Sequence, residues 1–384
     1  MKRMKRIIFA AIISLTCLFT AISKPSISSP FTTNYTVESV GKDPGATPEV
    51  VKSRLAALNT SLEMRYDSDV QSYIDRYIKN GRKQLTNLLM LSSYYMPIFE
   101  EALRKAGLPE ELKYLPVIES SLKAEATSPV GAAGLWQIMA GTAKGYDMKI
   151  DGSIDERRDP YLSSERACRI LKKQYERFGD WGLAIAAYNC GSGTMSKALK
   201  RAGGDPKQHN FWTVYNYLPA QTRHYVPKFI AINYVMNYYQ EHDVPEVEVS
   251  KFTTDTVHIS SKTSLSKVAS MVEISKEELR KLNPHFKGDV IPATASRHCN
   301  LILPTATARE YKVKMGRNPE TPAVAAQSET PAVKVNGQKD QKQRRFNPNY
   351  RDVPSTTMPN TYVRVLNKEF SSKDLRKREE DGKE

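Results

Sequence analysis

Glu119 stands out by its surroundings. It lies in the run Pro109-Glu110-Glu111-Leu112-Lys113-Tyr114-Leu115-Pro116-Val117-Ile118-Glu119-Ser120-Ser121-Leu122. Pro109 suits the first position of a helix, and Glu110 and Glu111 suit its first turn. Taken as one helix, the run places Leu112, Leu115, Glu119 and Leu122 on one face, with Pro116 as a point of kinking. A carboxylate within an apolar stripe is expensive to ionise, so desolvation raises its pKa and keeps it protonated near neutrality. That is the state a general acid needs to cleave a glycosidic bond. On periodicity alone, a structural Glu bonded to buried backbone or paired with Arg or Lys remains the leading alternative.

Further groups of suitable type follow. Ser128-Pro129-Val130-Gly131-Ala132-Ala133-Gly134-Leu135-Trp136-Gln137-Ile138-Met139 reads as a loop feeding a helix, and its glycines allow close backbone approach to a ligand. Trp136, Gln137 and Met139 offer the ring, amide and thioether groups that sugar clefts use. Trp181–Asn189 is an Ala-rich helix ending in Tyr188-Asn189-Cys190-Gly191, with Gly191 as its cap. Taken singly each signal is weak: Gly131–Gly134 reads as a turn and Trp181 as core. No CxxC pair or His cluster at ligand spacing is present, so neither a metal nor a cofactor is expected.

These groups need a scaffold, and the chain divides by texture. Lys2, Arg3, Lys5 and Arg6, the apolar run Ile7–Ile22 and the small residues Ala21 and Ser23 give residues 1–23 the form of a cleaved signal peptide. An uncleaved anchor is the other reading; either implies export to the periplasm or cell envelope. Residues 24–50 read as a Ser/Thr/Pro/Gly-rich linker, 51–94 as a helical extension and 95–245 as a helical domain. Thr256–Ile259 and Asn300–Leu303 read as strands, with helices at Ser264–Met271 and Ser275–Leu282 between them, a small α+β module over 253–304. The Pro-, Gln-, Asn- and Lys/Arg-rich residues 310–384 lack apolar periodicity and read as a disordered basic tail. Cys168, Cys190 and Cys299 leave at least one free thiol after export, and a Cys168–Cys190 disulfide is open. The net charge of +15 asks for an anionic partner (nucleic acid, membrane face or wall polymer) without choosing among them.

In order, these motifs resemble a family. Glu119-Ser120, Ser128-Pro129 and Gly131-Ala132-Ala133-Gly134-Leu135-Trp136-Gln137-Ile138 resemble the catalytic signature of soluble-type lytic transglycosylases, whose fold is related to goose-type lysozyme. Ala187-Tyr188-Asn189-Cys190-Gly191 and Leu218-Pro219-Ala220-Gln221-Thr222-Arg223-His224-Tyr225-Val226 resemble two further family elements. Tyr114–Ile118 and Asp155-Glu156-Arg157-Arg158-Asp159-Pro160 are similar to stretches of the membrane-bound transglycosylase D group.

The resemblance implies a mainly α, lysozyme-like domain acting on peptidoglycan glycan strands, not nucleic acid. Glu119 is then the single acid/base, and Ser128, Gln137, Met139, Thr142, Tyr188 and Asn189 line the cleft or hold the Glu and the sugars. Arg223 and Tyr225 carry a structural role at least as readily. Ordinary glycosidases use two carboxylates roughly 5 to 9.5 Å apart. Glu125, Asp147, Asp155 and Asp159 can each be nominated as a second, but none matches a family motif of that role. The implied products are 1,6-anhydromuramoyl ends; a hydrolytic muramidase and a non-catalytic wall-binding scaffold are the rival readings. Residues 253–304 resemble a degenerate LysM domain, with Ser261-Lys262 where the usual Gly-Asp stands, so the module is either a glycan binder or a structural appendage. The tail lies along an anionic membrane or wall polymer, as a peripheral association, or is simply solvated.

Overall fold

The computed structural model describes residues 30–31, 46–244, 252–316, 350–354 and 362–366. The expected signal peptide and most of the expected linker therefore lie outside the described residues, as does most of the expected tail. Among the described residues, no helix is long and apolar enough to cross a membrane.

The helical region opens at Pro48, where Thr47 accepts the Val50 N–H to cap α1 (Pro48–Ala57). Helix α2 (Ser68–Asp75), capped by Asp67, runs into a π-turn at Arg76–Asn80. It is followed by α3 (Arg82–Ala106), which ends on Gly107 in the left-handed region. Helix α3 passes unbroken through residues 94 and 95, where the sequence reading set a boundary, and Val51, Val70 and Leu85 share one core with Phe99, Ile185 and Ile230. The extension thus packs into the same core as residues 95–245.

Helices α4 (Leu115–Ser120), α5 (Ala140–Gly145), α6 (Pro160–Phe178), α7 (Trp181–Cys190) and α8 (Ser192–Ala202) follow. Asp159 and Asp180 cap α6 and α7 through their carboxylates. Short α9 (Phe211–Val214) and α10 (Ala220–Arg223) lead into α11 (Tyr225–Tyr238). Helices α7 and α11 are buried almost all round, as expected of central helices covered by amphipathic ones such as α6. Each fully buried Leu or Ile there contributes about 1.5–3 kcal/mol relative to exposure.

The small module closely follows its sequence reading. Strand β1 (Thr254–Ile259) pairs antiparallel with β4 (Cys299–Pro304), Val257 opposite Leu301. Between them lie β2 (Thr263–Ser264), α12 (Leu265–Val272), α13 (Lys276–Leu282) and β3 (Val290–Ile291). Ser264 and Ser275 cap the two helices, as their positions predict. The module continues past residue 304 as α14 (Thr305–Lys314), whose Ala308 and Tyr311 are buried. The expectation of an unstructured chain from residue 310 fails there because those two side chains complete the module's core. Among the described residues beyond 316, β5 (Tyr350–Pro354) pairs antiparallel with β6 (Tyr362–Leu366). The Cys168–Cys190 bridge is not formed: both are free thiols, and Cys168 is buried in α6.

Candidate active site

The run from Pro109 to Leu122 is not one helix. Glu110–Tyr114 form a tight 3₁₀ turn, and α4 begins afresh with Pro116 in its first turn, where the missing N–H costs nothing. Helix α4 stops one residue after Glu119, because Ser121 and Leu122 take left-handed φ values of 52° and 59°. Leu122 is therefore buried from a turn and not from the helix face. Two consecutive non-glycine residues in that region store strain beside the carboxylate, as active sites often do. Buried Ser120 anchors the turn: its Oγ lies 3.1 Å from Pro116 O and 3.0 Å from Leu135 O.

Glu119 is half-buried, and burial pushes its carboxyl up to about 7. The hydroxyl of Tyr225, at the start of α11, donates to Glu119 Oε1, and Lys228 one turn on adds a positive charge. Both favour the carboxylate, so the group is poised between acid and base near neutral pH. Tyr188, near the end of α7, donates to Trp136 O at 2.7 Å. Burial and the Glu119 charge hold both phenols well above their ordinary range, so they remain donors.

The loop after α4 is tied by its own backbone. Ser128 Oγ accepts from Ala132 N–H at 3.0 Å, and Ala133 pairs with Ile138. Gln137 takes φ 47°, and its amide donates to Gly134 O at 2.9 Å. At Gly134 (φ +82°) a Cβ would lie 1.9 Å from Arg157 O, so only glycine fits. Arg157 grips Asp155 with Nε and Nη2, at 2.9 and 2.8 Å, while its Nη1 donates to Gly131 O at 2.7 Å and Ile138 O at 3.0 Å. Burial alone would raise Asp155, but the bonds and charge of Arg157 outweigh it and hold the carboxyl below its usual range.

Residues 96–211 match the family model described as Transglycosylase SLT domain, and 253–315 match the one described as Lytic transglycosylase MltD, LysM-like domain. The chain carries an SLT transglycosylase domain followed by an MltD-type LysM-like domain. Membrane-bound lytic murein transglycosylase D of Escherichia coli K12 is 33% identical over 226 residues, 58% of this chain and 49% of that protein. Its counterpart in the O6:H1 strain matches equally. The chain thus spans about half the length of the curated relatives it matches. The 70 kDa soluble lytic transglycosylase of Escherichia coli is 20% identical over 47% of this chain and 32% of its own, with a TM-score of 0.33.

All seven site residues read from the sequence fall inside the matched SLT span. The charge of Glu119 reaches the Tyr188 phenol, and Ser128 and Gln137 hold the intervening loop through its backbone. Asn189 accepts from Thr222 Oγ1 at 3.1 Å, which ties α7 to α10. Met139, 44% exposed, and Thr142 are open to solvent at the start of α5. Trp136 is not a cleft aromatic. It is fully buried, its Nε1 donates to Ser164 Oγ at 2.9 Å, and its ring packs edge-on against Phe99. Trp181 is core, as expected, stacked on Tyr175.

The candidate site also contains residues that sequence reasoning undervalued. Tyr225, which reads at least as readily as structural, bonds Glu119 across 106 residues of chain. Its place in the Leu218–Val226 element was the available signal. Arg157 and Asp155 were visible as an acidic–basic run, without any indication of what they grip.

Proposed function

We propose that this protein is a peptidoglycan lytic transglycosylase in which Glu119 acts first as general acid and then as general base. The observation that carries this reading is Glu119 itself. It is held near neutrality by burial, bonded by Tyr225, and coupled to the Lys228 cation and to the phenols of Tyr188 and Tyr225. A hydrolase with two acids divides donor and base between them. A single acid near pKa 7 can perform both halves when the nucleophile belongs to the substrate.

In the proposed sequence, protonated Glu119 gives its proton to the glycosidic oxygen between N-acetylmuramic acid and N-acetylglucosamine, and the C1–O bond breaks. The substrate's acetamido group stabilises the cationic centre. The muramoyl C6 hydroxyl then attacks C1 and yields its proton to the Glu119 carboxylate. A 1,6-anhydro ring closes, Glu119 regains its proton, and no water is consumed. A tethered hydroxyl carries the effective-concentration advantage of an intramolecular reaction. Tyr225 steadies the carboxylate stage, and Tyr188 fixes the backbone of Trp136 at the cleft wall. The export signal read from the sequence agrees with a substrate in the cell envelope.

Digestion of purified sacculi with the parent protein and with Glu119→Gln tests the assignment, with released muropeptides measured by mass. The parent releases anhydro products, and the Gln variant, unable to cycle a proton, releases none. Equal release by both proteins refutes the role of Glu119. Binding of glycan strands by a parent that releases nothing supports the scaffold reading instead.

A further inference from the structure

The LysM-like module meets the SLT domain at several places: its Leu282 and Ile302 join the larger helical core and its Thr254 bonds Tyr161 at 2.6 Å, while one short segment of the SLT domain, residues 151–158, reaches into the module's own core. On its outer side this segment is built into the LysM-like module. Ile154 forms a β-bridge with Phe286, Asp155 N–H donates to His285 O at 2.8 Å, and Lys287 N–H donates to Ser153 O at 3.0 Å. Arg297 pairs with Asp151 at 2.9 Å. The Ile154 side chain, 3% exposed, belongs to the module's own core beside Val257, Leu265 and Phe286. Asp151 Oδ1 accepts from the N–H groups of Ser153 and Ile154, which stiffens the turn between the two domains.

On its inner side the same segment grips the catalytic loop. Asp155 aligns Arg157, and Arg157 Nη1 bonds the carbonyls of Gly131 and Ile138, the two ends of the loop. Gly134 rests directly against Arg157 O. The loop in turn presents Leu135 O to Ser120, the neighbour of Glu119, and Trp136 O to Tyr188. An unbroken series of buried contacts therefore runs from the module core to the turn that carries Glu119.

We propose that the LysM-like module is a brace for the catalytic loop, with Asp155 and Arg157 as positioning residues and Ile154 as the peg through which the module holds them. A module serving only as a glycan tether would need no such peg. A buried guanidinium in a bidentate grip fixes the angle of whatever its third nitrogen holds, which a lysine ammonium cannot do. The catalytic part of this inference rests on the proposed transglycosylase reading; the mechanical part does not.

Amide hydrogen exchange of the full chain tests it, comparing the parent with Ile154→Ala and Arg157→Lys. The amides of Ala133, Gly134 and Ile138, all bonded within or beside the loop, should exchange about tenfold faster or more in both variants. Amides in the middle of α11 should keep the parent rate. Ile154→Val, which removes one methyl, reads the same direction if alanine unfolds the module. Loop exchange at the parent rate in a folded Ile154 variant overturns the brace. Equal acceleration in α11 also overturns it, because it signals general loosening. On a short soluble glycan oligomer, too short to bridge module and cleft, the variants should lose kcat by a similar factor with little change in KM. An inactive parent would sink the transglycosylase reading alone, since the exchange rates still decide the brace.

Discussion

Replacing Glu119 by Gln should stabilise the protein at alkaline pH and do little at acid pH. The ordinary value of the group is 4.5, and burial raises it to about 7 in the fold. Each pKa unit is worth about 1.4 kcal/mol between the two protonation states, so ionising the folded Glu119 costs about 3 kcal/mol relative to the unfolded chain. Because the folded value is the higher one, the fold holds a proton that the unfolded chain has lost between those pH values. The parent's stability therefore falls as pH rises from about 4.5 through 7. Gln carries no charge at any of these values, keeps the size, and still offers an oxygen to the Tyr225 hydroxyl. The difference, Gln variant minus parent, should be near zero at pH 4 and approach about 3 kcal/mol by pH 8, or roughly 6–12 °C in Tm for a domain of this size. Urea unfolding of the two proteins across that range, with the slope checked for constancy, measures it. A difference that does not vary with pH, or a Gln variant less stable at pH 8, would refute the claim that burial controls this carboxyl.

Three further outcomes follow from the site's packing. Tyr225→Phe removes a bond that favours the carboxylate, so the pKa of Glu119 should rise, the alkaline limb of the pH–rate profile should move up, and kcat should fall about tenfold or more. An unmoved limb would place Tyr225 outside the proton chemistry. Gly134→Ala, with its Cβ driven against Arg157 O and φ at +82°, should cost about 3 kcal/mol or more in denaturant unfolding, and a cost below about 1 kcal/mol would contradict the close approach. Trp136→Phe loses the Nε1 bond to Ser164 and leaves core volume unfilled, so it should cost about 1–3 kcal/mol of stability with KM for glycan strands unchanged. A raised KM at parent stability would return this ring to the cleft.

Local rules made much of the fold legible. Ser264 and Ser275 announced two helices because a side-chain cap is a contact within three residues. The strands β1 and β4 were legible as short runs flanking the two helices, and Gly191 was a legible stop. Glu119 was legible as an acid in an apolar setting, although the helix drawn around it was not. Pro116 reads equally as a kink or as a helix start, and nothing in the types of Ser121 and Leu122 foretells positive φ. Tyr225, Arg157 and Trp136 could not be placed because their roles depend on partners far along the chain. A buried tryptophan and a cleft tryptophan look alike until Ser164 and Phe99 are seen around it. The boundary set at residue 94 failed to mark a break for the same reason, since α1 and α2 complete a core whose other members come much later. Residues 310–314 are polar enough to read as tail, and only the burial of Tyr311 beside Ala308 shows that this helix closes the module.

The central claim is that a single acid, Glu119, cleaves the strand with the substrate's own hydroxyl as nucleophile. Digestion of sacculi in heavy-oxygen water, with mass analysis of the new muramoyl ends, tests it most directly. The account predicts ends lighter than the reducing sugar by one water and free of heavy oxygen. Reducing ends carrying one heavy oxygen would show that water is the nucleophile and would contradict it.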